Sequence, residues 1–312
     1  MSSDLESPNR IFFAEVGPRD GLQNLPTELS TEIKVELIAG LLDCGPELVE
    51  ATSFVSPKWV PKLADAEQVM NRLVADRGEG VLDRLRVLVP NRRGLERALA
   101  ARARRVIANI GATEAFNRRN LNCSQEETLA EIGLLSEQAK AAGCLLDVSI
   151  SVAFGCPFEG RVDPQRVLEL ALEVSDLEVA EISVADTIGV ADPRQVVELV
   201  ELLTARLSLG LLSIHLHDTR AMGLANALAA YRAGIRRFEG SVGGIGGCPF
   251  APRATGNVCS EDLLHLLTRV GAASPVHLGP LCRVAERLEQ LLGQQLPGRL
   301  YRAGIWNPDQ LN

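Results

Sequence analysis

Along most of the chain, short runs rich in Val, Ile and Leu alternate with longer stretches in which apolar residues recur every three to four positions. The short runs predict strands over Ile11–Val16, Leu48–Ala51, Leu85–Val89, Arg105–Ile110, Leu145–Ser151, Ala180–Ala185, Leu212–Leu216 and Arg237–Val242. Each is followed by an amphipathic segment or by a loop leading to one. Repeated strand–helix units imply a parallel sheet, and this many suggest closure into a (β/α)8, or TIM, barrel. Helix starts agree. Asp163-Pro164 and Asp192-Pro193 each pair an N-cap acid with proline at the first helical position, and Ser124 with Glu127 has capping-box spacing. Gly45, Gly143 and Gly234 follow helical patterns where a left-handed C-cap is wanted. An open doubly wound sheet is the competing architecture. Against it, no Gly-x-Gly-x-x-Gly follows the first strand.

Residues 1–9 read as a polar tail, 10–278 as the barrel and 279–312 as a short C-terminal helical extension, because the helical stretch Pro280–Leu292 and the tail after it have no strand partner. The mixed-charge stretch Asp76–Arg86 reads as a solvated helix end and loop.

Composition narrows the classes. Of 312 residues, 46% are hydrophobic and only 4% aromatic, so a large core must be aliphatic. A net charge of -8 argues against a nucleic-acid partner and requires any anionic substrate to meet a local basic patch. Seven cysteines, an odd number with no Cys-x-x-Cys, fit reduced thiols rather than a disulfide framework. The N-terminus lacks the features of a signal or transit peptide, and no run of about twenty apolar residues suggests a membrane span, so the expected location is cytoplasmic.

In a parallel barrel, chemistry collects at the C-terminal ends of the strands. Those ends carry Arg19 and Asp20, Glu50 and Ser53, Asn91, Asp186 and Thr187, His215 and His217, and the loop Gly243 to Cys248 with Asn257 beyond it. His215 and His217 share one face of their strand because side chains alternate there. They are either a metal site or two buried imidazoles with separate partners. With Asp20 and the amide oxygen of Asn257 they offer two nitrogens and two oxygens, a donor set that suits octahedral Mg2+ or Mn2+ better than a closed structural zinc site, with zinc still compatible. The Gly243–Cys248 loop reads as mobile and backbone-exposed. It is either a phosphate cradle or a flap bringing the Cys248 thiol to a reacting carbon as proton donor.

Several motifs together resemble the hydroxymethylglutaryl-CoA lyase family of metal-dependent barrels. They are Glu15-Val-Gly-Pro-Arg-Asp-Gly-Leu-Gln-Asn24, Thr52-Ser-Phe-Val-Ser-Pro-Lys-Trp-Val-Pro61, Gly155-Cys-Pro-Phe-Glu-Gly160, His215-Leu-His-Asp-Thr219 and Gly246-Gly-Cys-Pro249 with Gly256-Asn257. The resemblance covers about Ile11 to Leu267. It implies a divalent cation on Asp20, His215, His217 and Asn257, with Arg19 and Cys248 catalytic. Glu50 is implied as a supporting acid, and Gln23, Ser53 and Asp186 as groups on the substrate side or behind it. The chain departs from the family pattern at Gly243, Ile245 and Phe250, at Ala185 and at Arg253.

The implied reaction is cleavage of 3-hydroxy-3-methylglutaryl-CoA to acetyl-CoA and acetoacetate. Its alternatives are a lyase for a related branched 3-hydroxyacyl-CoA and a condensing synthase. An unassisted tertiary hydroxyl is too weak an acid at neutral pH. A bound cation can supply on the order of 11 kcal/mol toward its ionisation, against roughly 10²–10⁴-fold from a positioned base. His215 or Asp20 is the expected base, Arg19 the enolate-stabilising group and Cys248 the proton donor. Lys58, Lys62, Arg92, Arg93, Arg118 and Arg119 offer a basic patch for the acyl-CoA, and a homodimer is expected by analogy. A zinc amidohydrolase also carries a His-x-His, but on the first strand and with later histidines. Here His265 and His277 fall beyond the barrel strands. A barrel that binds acyl-CoA as a sensor is the non-enzymatic alternative.

Overall fold

A computed structural model describes residues 9–247 and 256–306. The predicted barrel is the fold. Strands β1 (Phe12–Glu15), β2 (Leu48–Ser53), β3 (Leu85–Leu88), β4 (Arg105–Gly111), β5 (Leu145–Ser151), β6 (Glu181–Asp186), β7 (Leu212–Leu216) and β8 (Arg237–Gly240) close in parallel, with β8 pairing β1. β5 and β7 have the limits the pattern predicts, and the others shift by one or two residues. β2 runs on to Ser53 because its ladder with β3 continues past a register shift between Glu50 and Thr52.

Helices α1 (Thr31–Asp43), α2 (Ala66–Arg77), α3 (Arg92–Ala100), α4 (Glu114–Leu121), α5 (Gln125–Ala141), α6 (Pro164–Ser175), α7 (Pro193–Thr204), α8 (Gly223–Arg232) and α9 (Ser260–Arg269) surround the strands, followed by α10 (Leu278–Leu292) and α11 (Leu300–Ala303). The expected caps form. Asp163 accepts from the Gln165 amide, Asp192 from Arg194 and Gln195, and Ser124 and Glu127 complete a capping box. No described helix is long and apolar enough to cross a membrane.

The aliphatic core lies between strands and helices. Leu146, Val148 and Ile150 of β5 are buried, as are Val167, Leu170 and Val174 of α6. Each such burial contributes roughly 1.5–3 kcal/mol. The lumen is different. Strand alternation turns Arg86, Arg105, Asp147, Glu181, Arg237 and Glu239 inward, so charges fill the barrel. Arg86 corrects the sequence reading: the Asp76–Arg86 stretch is not all solvated, since Arg86 is 0% exposed inside β3. Near the strand starts, Arg105 grips Asp147 through two nitrogens at 2.7 and 2.9 Å, and Arg237 Nε donates to Glu181 at 2.9 Å.

Candidate active site

The site is assembled from both ends of the chain. After β1 the backbone makes a π-helical turn over Gly17–Gly21, placing Arg19 and Asp20 at the barrel mouth. Glu15 anchors that turn: Oε1 accepts from the amides of Gly17 (2.8 Å) and Val242 (2.9 Å), and Oε2 from Ser260 Oγ (2.6 Å). Burial outweighs these bonds and pushes the Glu15 carboxyl up to about 8.

At the end of β7, His215 and, one residue past the strand, His217 face the lumen with their Nε2 atoms 3.1 Å apart. His215 pairs in register with Glu239, whose Oε2 lies 2.9 Å from His215 Nδ1. Asn257 arrives from the other side. The Asp218 amide donates to Gly256 O at 3.1 Å, and the Val258 amide to Leu216 O at 3.0 Å, so the 256–258 segment lies along the end of β7. Two glycines permit the approach. A Cβ on Gly246 would fall 2.7 Å from Asn257 Nδ2, and one on Gly256, at φ 97°, 2.8 Å from Gly246 O.

Asp20, His215 and His217 each bring a ligand atom within 4.8 Å of the others, a possible metal site. Asn257 Nδ2 donates to Asp20 Oδ2 at 2.9 Å, leaving Asn257 Oδ1 buried with no hydrogen-bond partner among the described residues. A buried unpaired carbonyl oxygen is costly unless something binds it. That orphaned oxygen, beside two imidazoles and a carboxylate, fits a divalent cation. The electrostatics agree. Burial, reinforced by the charge of His215, pushes His217 down to about 3, so it is the neutral imidazole a cation requires. Burial opposes the charged form of His215, but the hydrogen bond and charge of Glu239 together with Asp20 prevail and raise it. Burial likewise opposes ionised Asp20, yet Arg19 and the two histidines hold it below the usual carboxylate range.

Arg19 Nη1 donates to Asp20 Oδ1 at 2.7 Å, and its Nε donates to Glu50. Gln23 Nε2 reaches Asp20 Oδ1 at 3.2 Å. Arg19, Asp20, Gln23, His215 and His217 line a cleft of about 620 Å³ whose wall also includes Trp59, Lys62 and Arg119.

Other predicted positions lie elsewhere. Glu50 touches Arg19 and Arg86 rather than Asp20 or the histidines. Asp186 spends its carboxylate on the Val190 and Ala191 amides (2.9 and 3.1 Å), and Ser53 Oγ accepts from the Val55 amide at 3.2 Å. Lys58 lies with its Nζ 5.8 Å from the Trp59 ring. Of the basic patch, Lys62 and Arg119 line the cleft, whereas Arg118 and Arg92 pair with Glu114 and Glu131. The glycine loop differs from the exposed segment expected: Val242, Gly243 and Gly244 are buried in a short turn under Leu296 because the Gly243 amide is held by Glu261. Cys248 lies outside the described residues.

Sequence reasoning missed Arg86, Glu239 and Trp59. The signal for Arg86 was a charged residue inside an otherwise apolar strand run, whereas Glu239 sits in the mixed run Arg237–Val242 and carried none. For Trp59 it was an aromatic within a loop after β2, 76% exposed in the fold.

The sequence model of the HMGL-like family matches residues 10–288. The (R)-citramalyl-CoA lyase of Chloroflexus aurantiacus is 41% identical over 94% of this chain and 95% of its own length. The hydroxymethylglutaryl-CoA lyase of Bacillus subtilis is 39% identical over 94% and 96%. A solved structure of an HMG-CoA lyase from Acinetobacter baumannii, in complex with coenzyme A and 3-methylmalate, superposes with a TM-score of 0.91 at 35% identity, covering 100% of this chain and 99% of that one. With that match and a barrel whose mouth gathers a carboxylate, two imidazoles and a guanidinium, the chain belongs to the HMGL-like family, as an enzyme of the hydroxymethylglutaryl-CoA lyase type.

Proposed function

We propose that the protein is a divalent-cation-dependent carbon–carbon lyase that cleaves 3-hydroxy-3-methylglutaryl-CoA to acetyl-CoA and acetoacetate. The observation carrying this reading is the convergence of Asp20, His215 and His217, next to Arg19, in an open cleft, with an Asn257 oxygen nearby that has no partner among the described residues. Asp20, His215, His217 and Asn257 would hold Mg2+ or Mn2+. When bound, the cation lowers the pKa of an oxygen placed on it and neutralises developing negative charge.

The chain's own residues supply the rest. The C3 hydroxyl proton goes to one of the two expected bases, His215 or Asp20, which lie side by side at the mouth. Loss of that proton lets the C2–C3 bond break, leaving a ketone on one fragment and the thioester enolate on the other. Arg19, fixed from behind by Glu50, stabilises the enolate oxygen with a preset guanidinium. Cys248 delivers the proton that converts the enolate carbon to the methyl of acetyl-CoA. Lys62 and Arg119 at the cleft wall meet the anionic end of the acyl-CoA.

A second reading has one specific support, the 41% identity to an (R)-citramalyl-CoA lyase. Citramalyl-CoA carries its carboxylate directly on the C3 carbon, one methylene shorter, and the same cleavage yields acetyl-CoA and pyruvate. Incubating the purified protein and Mn2+ with each ester separately distinguishes the two. Acetoacetate from the first ester at the higher kcat/KM supports the proposal. Pyruvate from the second at the higher kcat/KM transfers it to the shorter substrate, and no acetyl-CoA from either ester refutes both.

A further inference from the structure

Arg86 is the largest fully buried side chain of the described residues, and it differs from Arg105 and Arg237 in that the acids it binds also hold residues of the mouth. Its Nη2 lies 2.5 Å from Glu50 Oε2 and 2.6 Å from Glu239 Oε1, with Nε donating to Glu50 Oε2 at 2.9 Å. Each of those carboxylates turns its other oxygen upward to a residue of the mouth. Glu50 Oε1 accepts from Arg19 Nε, and Glu239 Oε2 meets His215 Nδ1 at 2.9 Å. Nη1 sits 3.5 Å from Asp147 Oδ2 and 3.8 Å from Glu181 Oε1, at ion-pair rather than hydrogen-bond length. A side chain that merely filled the lumen would close on one acid with both arms, as Arg237 does on Glu181. Arg86 instead joins its neighbour on β2 to a residue on β8, which lies beyond β1 around the barrel.

Resting on the metal-dependent reading above, we propose that Arg86 is a positioning residue for both halves of the site. Through Glu50 it fixes the Arg19 guanidinium, and through Glu239 it fixes the ring of His215. A carboxylate oxygen can only accept, so Glu239 keeps the His215 proton on Nδ1 and the Nε2 lone pair free for the cation. Cation affinity and turnover therefore depend on one guanidinium that touches neither cation nor substrate.

The experiment uses the full chain, stripped of metal and titrated with Mn2+ by electron paramagnetic resonance, alongside kcat and KM for the acyl-CoA ester. Lysine is a point charge that cannot satisfy two carboxylates in Arg86's geometry. Arg86→Lys is expected to weaken Mn2+ binding by about 10–100-fold and to lower kcat, with KM changed far less. Glu239→Gln is expected to weaken Mn2+ binding to a similar degree, and adding Arg86→Lys to it should weaken Mn2+ little further, because both act through His215. A folded Arg86→Lys protein with wild-type Mn2+ affinity and kcat overturns the proposal. If that variant does not fold, Glu239→Gln decides alone, and unchanged Mn2+ affinity there also overturns it. Wild-type protein that binds no Mn2+ overturns the metal reading and this inference together. Normal wild-type binding with unaffected variants overturns only the positioning role.

Discussion

The two ends of the barrel lumen are built from similar residue types, yet one is closed on itself and the other is not. Near the strand starts, Arg105 and Arg237 spend their nitrogens on Asp147 and Glu181, and Arg237 stacks 3.7 Å over Phe12. Near the strand ends, Asn257 Oδ1 has no partner among the described residues, and two imidazole nitrogens face each other at 3.1 Å. Polar groups that satisfy one another hold strands together. Polar groups that converge without satisfying one another leave room for a ligand, so burial of charge alone would not have told the two ends apart.

Substitutions at the mouth should break function with little loss of fold, and those at the base should do the reverse. The largest effects are expected from Arg19→Met and Cys248→Ala, each lowering kcat by at least about a hundredfold in steady-state assays while Mn2+ still binds. Near-wild-type turnover in either variant removes the role assigned to that residue. His217→Ala should weaken Mn2+ by more than about a hundredfold in equilibrium dialysis, exceeding what loss of a supporting group costs. Retained affinity would mean that the two imidazoles do not share a cation.

A pH series sharpens the comparison within the mouth itself. His217, held down to about 3, is neutral throughout the physiological range, whereas His215 is raised above the ordinary histidine value and is charged at the acid end. A cation must displace the His215 proton, so Mn2+ affinity should fall about tenfold per pH unit below the His215 pKa and level off above it. Calorimetry in buffers of different ionisation enthalpy should find one proton released near the acid end. Release of two would mean that His217 is also charged there.

At the base, Arg237→Met leaves Glu181 with Arg105 and should cost about 1–3 kcal/mol of stability, less than removal of a sole partner. Its Mn2+ affinity should stay within about twofold of wild type. Chemical denaturation paired with a Mn2+ titration checks both, and a large affinity loss would show that the two ends are not separate.

The strand count, the helix caps and the residues at the strand ends were legible because each is a local pattern: alternation, a stop signal, an N-cap acid. Arg86 and Glu239 were not. A charge in a strand normally marks a solvated face, and only in a barrel lumen does the inward side become polar. Asp186 and Ser53 show a different limit of local reading. They sit at strand ends as read, but their oxygens are consumed by backbone amides of the following turns, which no spacing rule reveals.

The sequence by itself therefore determined the periodicity of the fold and the inventory of acids, imidazoles and guanidinium groups at its rim. Only the tertiary structure decided which of them meet. Asp20 and Asn257 are 237 positions apart and come within hydrogen-bond distance because β8 closes onto β1, a long-range pairing that no local window of the chain contains.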